Sequence, residues 1–500
     1  MNIASWLHQT ALLHPESPAV RTGDALFATY SDLAAGARAR GGEMAEFGVR
    51  PGDRVAIFAA NRPEYLEILF GILWIGAIVV PINYKLHPKE AAWILENSGA
   101  RMVFTDGGSV FSPADMPDDC AEREIVPVAA QSGLWTPLEV AADAPAWLFY
   151  TSGTTGRPKG VILGHRNLRV MAMNYALDVD TVLATDHMLY AAPMSHGAGL
   201  YCFQFIRAGA CHVLPPSRGF DPVEIESLSR RLGSLCLFAA PTMIRRMVNH
   251  AQSSGWRGEG LRTVTYGGGP MYLPDLDAAA DQFGDRFVQI YGQGESPMTI
   301  TVLPRDIIAD RTHPHAAARR TSVGFAASCV EVRIVDAAMQ PLPTGAVGEI
   351  VVRGDTVMAG YWQNPKASAE TLVEGWLRTG DLGRMDAQGL LWLTDRSKDV
   401  IISGGSNIYP REVEDALLTH PDVTEVAVIG VPSPEWGEEV AAFVVLRADV
   451  RPDRAALDAA CKAELASFKK PKHYVFLPEL PKNSYGKVLK IELRQRYSPS

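Results

Sequence analysis

Short apolar runs alternate with helical patterns between about residue 50 and residue 290. Each run is too short for a typical helix and is bounded by polar or turn residues, so the runs predict buried strands. The predicted strands are 54–60, 101–105, 146–150, 210–214, 234–238, 261–266 and 286–291. Helical spacing lies between many of them, as at 242–250. This alternation predicts an α/β fold whose sheets are largely buried on both faces.

The pattern changes after about residue 320. Apolar and polar residues alternate at 330–335 and 348–353, with Gly and Pro nearby, which predicts a small antiparallel β region. Five polar residues at 395–399 separate two apolar pieces, and a charged connector of this kind is typical of a domain boundary. We therefore expect an N-terminal domain at 1–394, a hinge at 395–399 and a C-terminal domain at 400–500.

The length and the charge limit the classes of function. The chain has 500 residues and a net charge of −9, so two or more domains are expected. The acidic balance argues against a nucleic-acid-binding protein, which needs a basic face to neutralise phosphates. Residues 462–496 differ, with nine Lys or Arg against three Glu. Such a segment could bind a polyanionic small molecule, or it could be an ordinary solvated surface.

The apolar stretch 66–82 is interrupted by Glu67, two glycines and Pro81. It predicts a buried helix that leads into a strand, because a membrane span needs about 20 clean apolar residues. The first residues show no basic region followed by an apolar run, so no signal peptide is predicted. The six scattered cysteines predict buried free thiols. We expect a cytoplasmic protein without a membrane span, and a homodimer is compatible with the sequence.

Segment 151–160 has the composition of a phosphate-binding loop. It contains three glycines, four hydroxyl side chains, Arg157 and Lys159, and glycine allows the backbone to approach a ligand closely. A Walker A motif needs Gly-Lys followed by Ser or Thr, whereas Lys159 follows Pro158. The pattern therefore suits a polyphosphate but disfavours a P-loop kinase or ATPase.

The segment 150–160, YTSGTTGRPKG, resembles the signature loop of the adenylate-forming superfamily, which includes acyl-CoA synthetases, peptide-synthetase adenylation domains and beetle luciferases. Further segments resemble the family's motifs in the family's order. They are 193–196, 266–270, 291–295, 348–354, 376–381, 395–398 and 483–487. The resemblance covers nearly the whole chain, and the ordered set is far more specific than any one segment.

This resemblance implies a large N-terminal domain with two stacked α/β subdomains and a small β region, and a small mobile α+β C-terminal domain. It also implies ATP, Mg²⁺ and coenzyme A as the molecules of a two-step reaction. A carboxylate first attacks the α-phosphate of ATP to give acyl-AMP and pyrophosphate. A thiol, usually that of coenzyme A, then displaces AMP. The implied partners are a small-molecule carboxylic acid and coenzyme A.

The resemblance gives Lys487, Glu295 and His196 the catalytic roles. Lys487 would bridge the carboxylate and the α-phosphate, where a cation offsets charge that develops in the transition state. Glu295 would be the magnesium ligand, and a single carboxylate suffices because Mg²⁺ also takes phosphate oxygens. His196 would flank the acyl entrance without acting as a base. Lys398 would be the hinge that exchanges Lys487 for the coenzyme A loop at Ser403, Gly404 and Gly405.

The implied ATP-binding and AMP-binding residues lie in three loops and at two later positions. They are Thr151, Ser152, Gly153, Thr154, Thr155, Gly156, Lys159, Gly267, Gly268, Gly269, Pro270, Tyr291, Gly292, Gln293, Gly294, Asp381 and Arg396. At Gly294 the chain departs from the family, which usually has a Thr that contacts phosphate. We expect this contact to be lost or to come from a neighbour such as Ser296.

The expected acyl pocket consists mainly of small and neutral residues. They are His196, Gly197, Ala198, Tyr201, Ala240, Tyr266 and Gly292. Acetyl specialists of the family close the pocket with a Trp at the position of Gly292. The lining segments contain no acidic residue for a substrate ammonium and no Arg or Lys for a second carboxylate. These absences predict an apolar acid, either aryl or medium-to-long aliphatic.

Two alternatives to an acid–CoA ligase stay open. An adenylating enzyme could load an acyl carrier protein instead of coenzyme A, although no carrier domain is fused here. A nucleotide-binding protein without catalysis is the other alternative, against which Lys487, Lys159 and Glu295 argue.

Overall fold

The computed structural model describes residues 1–107, 110–128, 135–151, 158–269, 271–396, 399–403, 406–433, 436–451, 453–467, 469–482 and 488–497, without the side chains of residues 395, 396, 406 and 407. The contacts divide the chain into two compact units. The first comprises Met1–Val332 and Val352–Leu377, and the second comprises Arg333–Val351 and Arg378–Ser500. The predicted hinge at 395–399 concerns movement, which this division does not test, and the domain boundaries stay a prediction.

The strands of the structure include every stretch that the sequence pattern predicted, and several more that it did not predict. In chain order they are β1 Pro18–Thr22, β2 Ala25–Thr29, β3 Arg54–Phe58, β4 Ile78–Ile82, β5 Ala100–Thr105, β6 Ala121–Glu124, β7 Pro145–Thr151, β8 Lys159–Gly164, β9 His187–Leu189, β10 Cys211–Leu214, β11 Leu235–Ala239, β12 Leu261–Tyr266, β13 Phe287–Gln293, β14 Ser296–Leu303, β15 Phe325–Ala326, β16 Val330–Val335, β17 Gly348–Gly354, β18 Leu372–Val373, β19 Trp376–Met385, β20 Leu391–Arg396, β21 Ile401–Ser403, β22 Ser406–Ile408, β23 Val423–Ser433, β24 Gly437–Leu446 and β25 His473–Phe476.

Helices lie between most of these strands. They are α1 Ser5–Leu13, α2 Tyr30–Glu46, α3 Glu64–Trp74, α4 Pro88–Ser98, α5 His165–Asn174, α6 Gly197–Leu200, α7 Cys202–Ala208, α8 Pro222–Leu232, α9 Pro241–Ser254, α10 Leu273–Phe283, α11 Arg305–Ala309, α12 Ala316–Arg320, α13 Pro365–Thr371, α14 Pro410–Leu418, α15 Arg454–Glu464 and α16 Lys490–Arg496, with a π-helical turn at Tyr175–Val179.

Two large sheets form the framework of the first unit. One has nine strands in the order β15-β14-β13-β12-β11-β9-β10-β1-β2, and the other has six in the order β6-β5-β3-β4-β7-β8. The neighbouring strands β13, β12, β11, β9 and β10 all run parallel. Parallel strands joined by helices confirm the predicted α/β fold class.

The second unit contains a smaller sheet in the order β22-β21-β24-β23, with β25 paired to β24. Strands β23 and β24 form a long antiparallel hairpin, and β25 pairs with β24 in parallel. Helix α14 packs on β23 and α15, and Val413, Leu417, Val428 and Leu457 lie in the common core. The αβ pattern that the sequence predicted for the last hundred residues is therefore present.

The apolar stretch at 66–82 forms part of α3 and all of β4, as predicted. Every residue of β4 is buried, and α3 exposes little beyond its acidic side chains. Within the described part of the chain, no helix is long and apolar enough to cross a membrane. All six cysteines are free thiols, and five of them are buried, which confirms the prediction for their pairing.

Helices α2 and α3 enclose a carboxyl group in their interface. The Glu67 side chain lies against Gly36 of α2, where a Cβ atom would come within 2.7 Å of its carboxyl carbon. Burial raises the pKa of Glu67 from 4.5 to about 7, although the nearby charge of Arg40 acts in the opposite direction. Ionised Glu67 is therefore unfavourable in this interface.

We predict that Glu67→Gln stabilises the protein above pH 7. The raised pKa means that Glu67 favours the folded state fully below pH 4.5 and loses this contribution as the pH rises through about 7. The free energy of unfolding should therefore rise by about 2–3 kcal/mol in the variant at pH 8.5. Urea unfolding at pH 8.5 and pH 4.5 measures the difference, which should disappear at the lower pH.

Glu64, one turn earlier in α3, is the matched control. Burial raises the pKa of Glu64, but the hydrogen bonds from Arg62 and the backbone, together with the charges of Arg62 and Arg40, leave that pKa below its ordinary value. Glu64→Gln should therefore destabilise the protein at neutral pH. Equal changes in the free energy of unfolding for Glu67→Gln and Glu64→Gln at pH 8.5 would contradict the opposite pKa shifts assigned to these two carboxyl groups.

Candidate active site

Four adjacent parallel strands bring sequence-predicted residues to one edge of the nine-stranded sheet. Ala240 follows β11, the glycines 267–269 follow β12, and Glu295 lies two residues beyond β13. Strand β9 is the fourth, and His196 follows it after a short connection. The carboxyl ends of parallel strands share one edge, which is where ligands bind in open α/β sheets. The fold thus gathers residues that lie up to a hundred positions apart in the chain.

The predicted phosphate loop connects β7 and β8, which pair antiparallel up to Thr151 and Lys159. These two strands belong to the six-stranded sheet. Phe149 of β7 lies against His196, with the ring centroids 5.0 Å apart. This contact brings the base of the loop beside the strand ends of the nine-stranded sheet.

Glu295 occupies a tight turn between two antiparallel strands. Gln293 of β13 pairs with Ser296 of β14, so Gly294 and Glu295 form a two-residue turn. Turns of this length fix the direction of their side chains through the register of the flanking strands. The carboxyl group of Glu295 is half-buried, and its position is set by the hairpin.

Tyr361, which the sequence reasoning missed, contacts two of the predicted residues. Its hydroxyl donates a hydrogen bond of 2.7 Å to Oε1 of Glu295. The Nζ atom of Lys159 lies 4.9 Å from the centroid of the Tyr361 ring, within the range of a cation–π contact. Burial raises the pKa of Tyr361, so the hydroxyl stays protonated at neutral pH and acts as a donor.

The carboxyl group of Glu295 is a suitable ligand for a magnesium ion. A hard cation prefers carboxylate and phosphate oxygens, and one protein carboxylate is sufficient beside a polyphosphate. Tyr361 bonds to Oε1, and among the described residues no hydrogen bond is made to Oε2. The described part of the chain also contains no cluster of three or more His, Cys, Asp or Glu that could hold a metal.

Gly294 is a glycine because its neighbours fill the space of a side chain. A Cβ atom there would overlap with Cγ2 of Thr151 and would lie 3.0 Å from Cδ1 of Phe149. The Thr151 side chain thus stands where a side chain at residue 294 would begin. Ser296, the neighbour considered above, is fully buried, and its Oγ lies 3.3 Å from Oγ1 of Thr356.

Gly292 is constrained by the backbone of the next strand. A Cβ atom there would lie 2.5 Å from N and 2.9 Å from Cα of Met298, so a side chain does not fit unless β14 moves. Met298 has a φ of +63°, which is rare for a residue other than glycine. Its Cε atom fills the space that a Cβ atom at Gly197 would need. Met298 thus touches two predicted pocket residues, although the sequence reasoning did not include it.

Tyr201 lies on one face of the nine-stranded sheet. Its ring centroid is 5.1 Å from that of Tyr175 and 6.1 Å from that of Phe238. Phe238 of β11 is the register partner of Thr265 of β12, so Tyr201 lies on the face to which Thr265 points. The Tyr201 hydroxyl is buried without a hydrogen-bond partner among the described residues.

Tyr266 extends from the other face of that sheet, because neighbouring residues of a strand point to opposite sides. Its hydroxyl donates to Oε1 of Gln289 at 3.2 Å, and the side chain is fully buried. Only the backbone of Tyr266 can therefore share a pocket with Tyr201 on the face to which Thr265 points. The predicted contribution of Tyr266 to the acyl pocket is therefore limited to its backbone, and it stays a prediction.

Further predicted residues lie in the second unit. Asp381 of β19 and Arg396 of β20 are direct cross-strand partners, so the predicted ribose pair has adjacent backbones. Asp381 is buried, and its N–H donates to Oγ1 of Thr379 at 3.1 Å. Ser403 of β21, part of the predicted coenzyme A loop, pairs with Ser406 of β22.

Several predicted positions lie outside the described residues. They are Ser152, Gly153, Thr154, Thr155, Gly156, Pro270, Lys398, Gly404, Gly405 and Lys487, together with the side chain of Arg396. Their roles stay predictions.

Of the eight basic residues at 462–496 that the structure describes, six form ion pairs within the second unit. The pairs are Lys469–Glu412, Lys470–Asp458, Lys482–Glu425, Lys490–Glu414, Arg494–Asp399 and Arg496–Glu492. Most of the positive charge is therefore neutralised locally. This favours an ordinary charged surface over a polyanion site that spans the whole segment.

Residues 7–362 match the AMP-binding enzyme family, and residues 412–487 match the C-terminal domain of AMP-binding enzymes. The chain belongs to the AMP-binding enzyme family. This confirms the resemblance drawn from the motifs, and the two matches follow each other in the predicted order.

Curated relatives of this AMP-binding enzyme match along almost its whole length. A feruloyl-CoA synthase from Amycolatopsis sp. is 37% identical over 99% of each chain. The fatty acid–[acyl-carrier-protein] ligase ScoC from Streptomyces coeruleorubidus is 34% identical over 98% of this chain and 96% of its own.

Solved structures of the family agree in fold. O-succinylbenzoate coenzyme A synthetase (MenE) from Bacillus subtilis, in complex with the acyl-adenylate intermediate OSB-AMP, is 31% identical over 99% of each chain, with a TM-score of 0.87. The same enzyme in complex with ATP and magnesium ion has a TM-score of 0.85 at 31% identity, over 98% of each chain. The predicted fold, with its large N-terminal and small C-terminal parts, is thereby confirmed.

We predict that Gly294→Ala destabilises this AMP-binding enzyme by about 1–3 kcal/mol, because the new methyl group overlaps with Thr151. Thr151→Ser removes Cγ2 and keeps the hydroxyl, so the double variant should regain most of the loss. Thermal or urea unfolding of the four proteins in this double-mutant cycle measures the coupling.

Gly269→Ala is the matched control, because a Cβ atom there meets only Cδ of Pro241 at 3.9 Å. It should have little effect on stability. Additive effects of the changes at residues 151 and 294 would show that the two side-chain positions do not compete for space.

Proposed function

We propose that this protein is an ATP-dependent, AMP-forming acid–CoA ligase that acts on an apolar carboxylic acid. In the first step a carboxylate oxygen of the acid attacks the α-phosphorus of ATP, and pyrophosphate leaves. In the second step the thiol of coenzyme A attacks the acyl carbon, loses its proton, and AMP leaves. The full-length relatives and the complete order of the family's motifs support this reaction.

The observation that carries the proposal is the position of Glu295 beside the phosphate loop. Its backbone carbonyl accepts from N of Met358 at 2.8 Å, and its carboxyl group accepts from Tyr361. Lys159, at the end of the loop, contacts the same Tyr361 ring. A carboxylate and an amine that contact the same side chain lie close enough to act on one polyphosphate.

Magnesium would supply charge neutralisation at the phosphates, and Glu295 is the residue that would hold it. Lys159 would add positive charge at the loop, and Lys487 would offset charge on the attacking carboxylate and the α-phosphate. Asp381 and Arg396 would fix the ribose, and Tyr291 with the glycines 267–269 would hold the adenine. His196 and Phe149 would form the entrance to the acyl site.

The apolar character of the acid follows from the residues around that entrance. Tyr201, Phe238 and Met298 contribute aromatic or thioether surfaces, and Ala240 is small. Such surfaces bind an aryl group or an aliphatic chain and offer no charge to a second ionised group. We place the reaction in the cytoplasm, where ATP and coenzyme A are available, and a homodimer remains an expectation.

A carrier-protein ligase is the second candidate, because ScoC is similar over nearly the whole chain. The chemistry of the first step is the same, and only the thiol differs. Product formation with free coenzyme A, compared with a phosphopantetheinyl carrier protein under the same conditions, separates the two functions. A protein that binds nucleotide without catalysis would give no ATP–pyrophosphate exchange above background with any acid.

We predict that Lys487→Ala lowers the acid-dependent ATP–pyrophosphate exchange on the order of 10²–10³-fold, because a cation at the α-phosphate is lost. The second step, started from synthetic acyl-AMP and coenzyme A, should be nearly unchanged. Arg496→Ala, in the same basic segment but 61% exposed, is the control and should keep both activities. A full exchange rate in Lys487→Ala would refute this role.

We predict that Met298→Ala shifts the preference towards longer acids, because the space of about three heavy atoms opens beside Gly197. The ratio of kcat/KM for a longer acid to that for a shorter one should rise about tenfold. The panel should contain ferulate, indoleacetate and fatty acids, with acetate, 2-succinylbenzoate and sulfoacetate as acids expected to react poorly.

Met44→Ala is the control for loss of a buried methionine, since Met44 lies in α2 and is fully buried. It should leave the order of the acids unchanged. If the wild-type protein prefers acetate or acids with a second ionised group, the proposed substrate class is wrong.

A further inference from the structure

The connecting segment 358–362 joins the phosphate loop to the turn that carries Glu295. N of Trp362 donates to O of Gly160 at 2.7 Å, and N of Ile162 donates to O of Gly360 at 2.9 Å. At the other end of the segment, N of Met358 donates to O of Glu295 at 2.8 Å. These backbone bonds hold β8 and the Glu295 turn at a fixed separation, since the segment between them is short.

Tyr361 lies in the middle of this segment and is the residue whose side chain reaches both ends. It forms an isolated antiparallel bridge with Val161 of β8, and its N–H donates to Oγ of Ser368 at 2.8 Å. Its side chain is 8% exposed. The backbone, the ring and the hydroxyl are each held by a different neighbour, so the direction of the hydroxyl is well defined.

The bond from Tyr361 to Glu295 leaves one carboxyl oxygen for a ligand. A free Glu side chain has three rotatable bonds and would lose rotamer freedom on binding a cation. The hydroxyl of Tyr361 fixes Oε1 before any ligand arrives, and Oε2 then has a defined direction. Such outer hydrogen bonds typically change metal affinity or activity 10–100-fold.

We propose that Tyr361 is a positioning residue that orients the carboxyl group of Glu295 towards the magnesium ion of Mg-ATP. The inference rests on the proposed function, because it assumes that Glu295 meets a metal–nucleotide complex. Tyr361 itself touches neither the acid nor the reacting atoms. It acts by holding Glu295 in one rotamer, while the amine of Lys159 lies over its ring.

Tyr361→Phe is the decisive variant, because it removes the hydroxyl and keeps the ring, the backbone bonds and the contact with Lys159. The apparent affinity for Mn²⁺, followed by the electron paramagnetic resonance of free Mn²⁺ with a non-hydrolysable ATP analogue present, should fall about tenfold. The KM for Mg²⁺ in the exchange reaction should rise similarly. The KM for the acid and the melting temperature without ligands should stay the same.

Trp362→Phe is the matched control in the same segment. The Trp362 ring packs under Arg54, 5.4 Å from its guanidinium carbon, and contacts no group of Glu295. This variant should leave the Mn²⁺ affinity unchanged. Glu295→Gln should abolish the specific Mn²⁺ affinity, and adding Tyr361→Phe to it should change nothing further.

Unchanged Mn²⁺ affinity in Tyr361→Phe would overturn the inference, as would an equal loss in Trp362→Phe. Both outcomes leave the proposed function intact if the wild-type protein exchanges pyrophosphate with an acid. Absence of exchange with every acid would instead refute the proposed function, and the Mn²⁺ titration would still test Tyr361.

Discussion

The two-residue turn at Gly294 and Glu295 is the constraint on which the candidate site depends. It is held from three directions, because β7 packs against Gly294, segment 358–362 bonds to Glu295, and β14 returns close behind Gly292. Each neighbour approaches too closely for an added Cβ atom or supplies a hydrogen bond. The turn that carries Glu295 is therefore fixed relative to the ends of β7 and β8, although these strands belong to a different sheet.

The rigidity of this turn comes from the framework behind it. Parallel strands buried on both faces cannot slide without exposing apolar side chains or breaking backbone hydrogen bonds. Fully buried residues such as Trp74, Trp147 and Phe203 fill the space near the sheets. This packing also tolerates unfavourable features, namely the left-handed backbone of Met298 and the half-buried carboxyl group of Glu67. Strained or desolvated groups of this kind persist only where their surroundings fix them.

Charge is distributed differently in the two units. In the second unit the abundant Lys and Arg residues are largely matched by nearby carboxylates, so their long-range field is weak. Near the phosphate loop the described basic side chain is Lys159, whose amine lies over an aromatic ring. Recognition of a polyphosphate would thus depend on a few directed groups and on the backbone, and less on a general positive potential.

The sequence by itself determined many of the strands, the α/β class and the phosphate-loop composition of 151–160, and the family resemblance added Glu295 as a candidate. Strand periodicity and glycine-rich loops are local properties, so a single chain reveals them. The family's ordered motifs added the order of the two domains and the reaction.

Only the tertiary structure decided which side chains meet at the turn. Tyr361 is 66 residues from Glu295, and no spacing rule predicts a hydrogen bond over that distance. Sequence could show that Gly294 lacks a hydroxyl, but not that Thr151 fills its space. It could name Tyr266 as a pocket residue, but it could not show that the side chains of Tyr266 and Thr265 point to opposite faces of the sheet. These outcomes depend on how two sheets pack together, and packing is set by the whole core at once and not by any local segment.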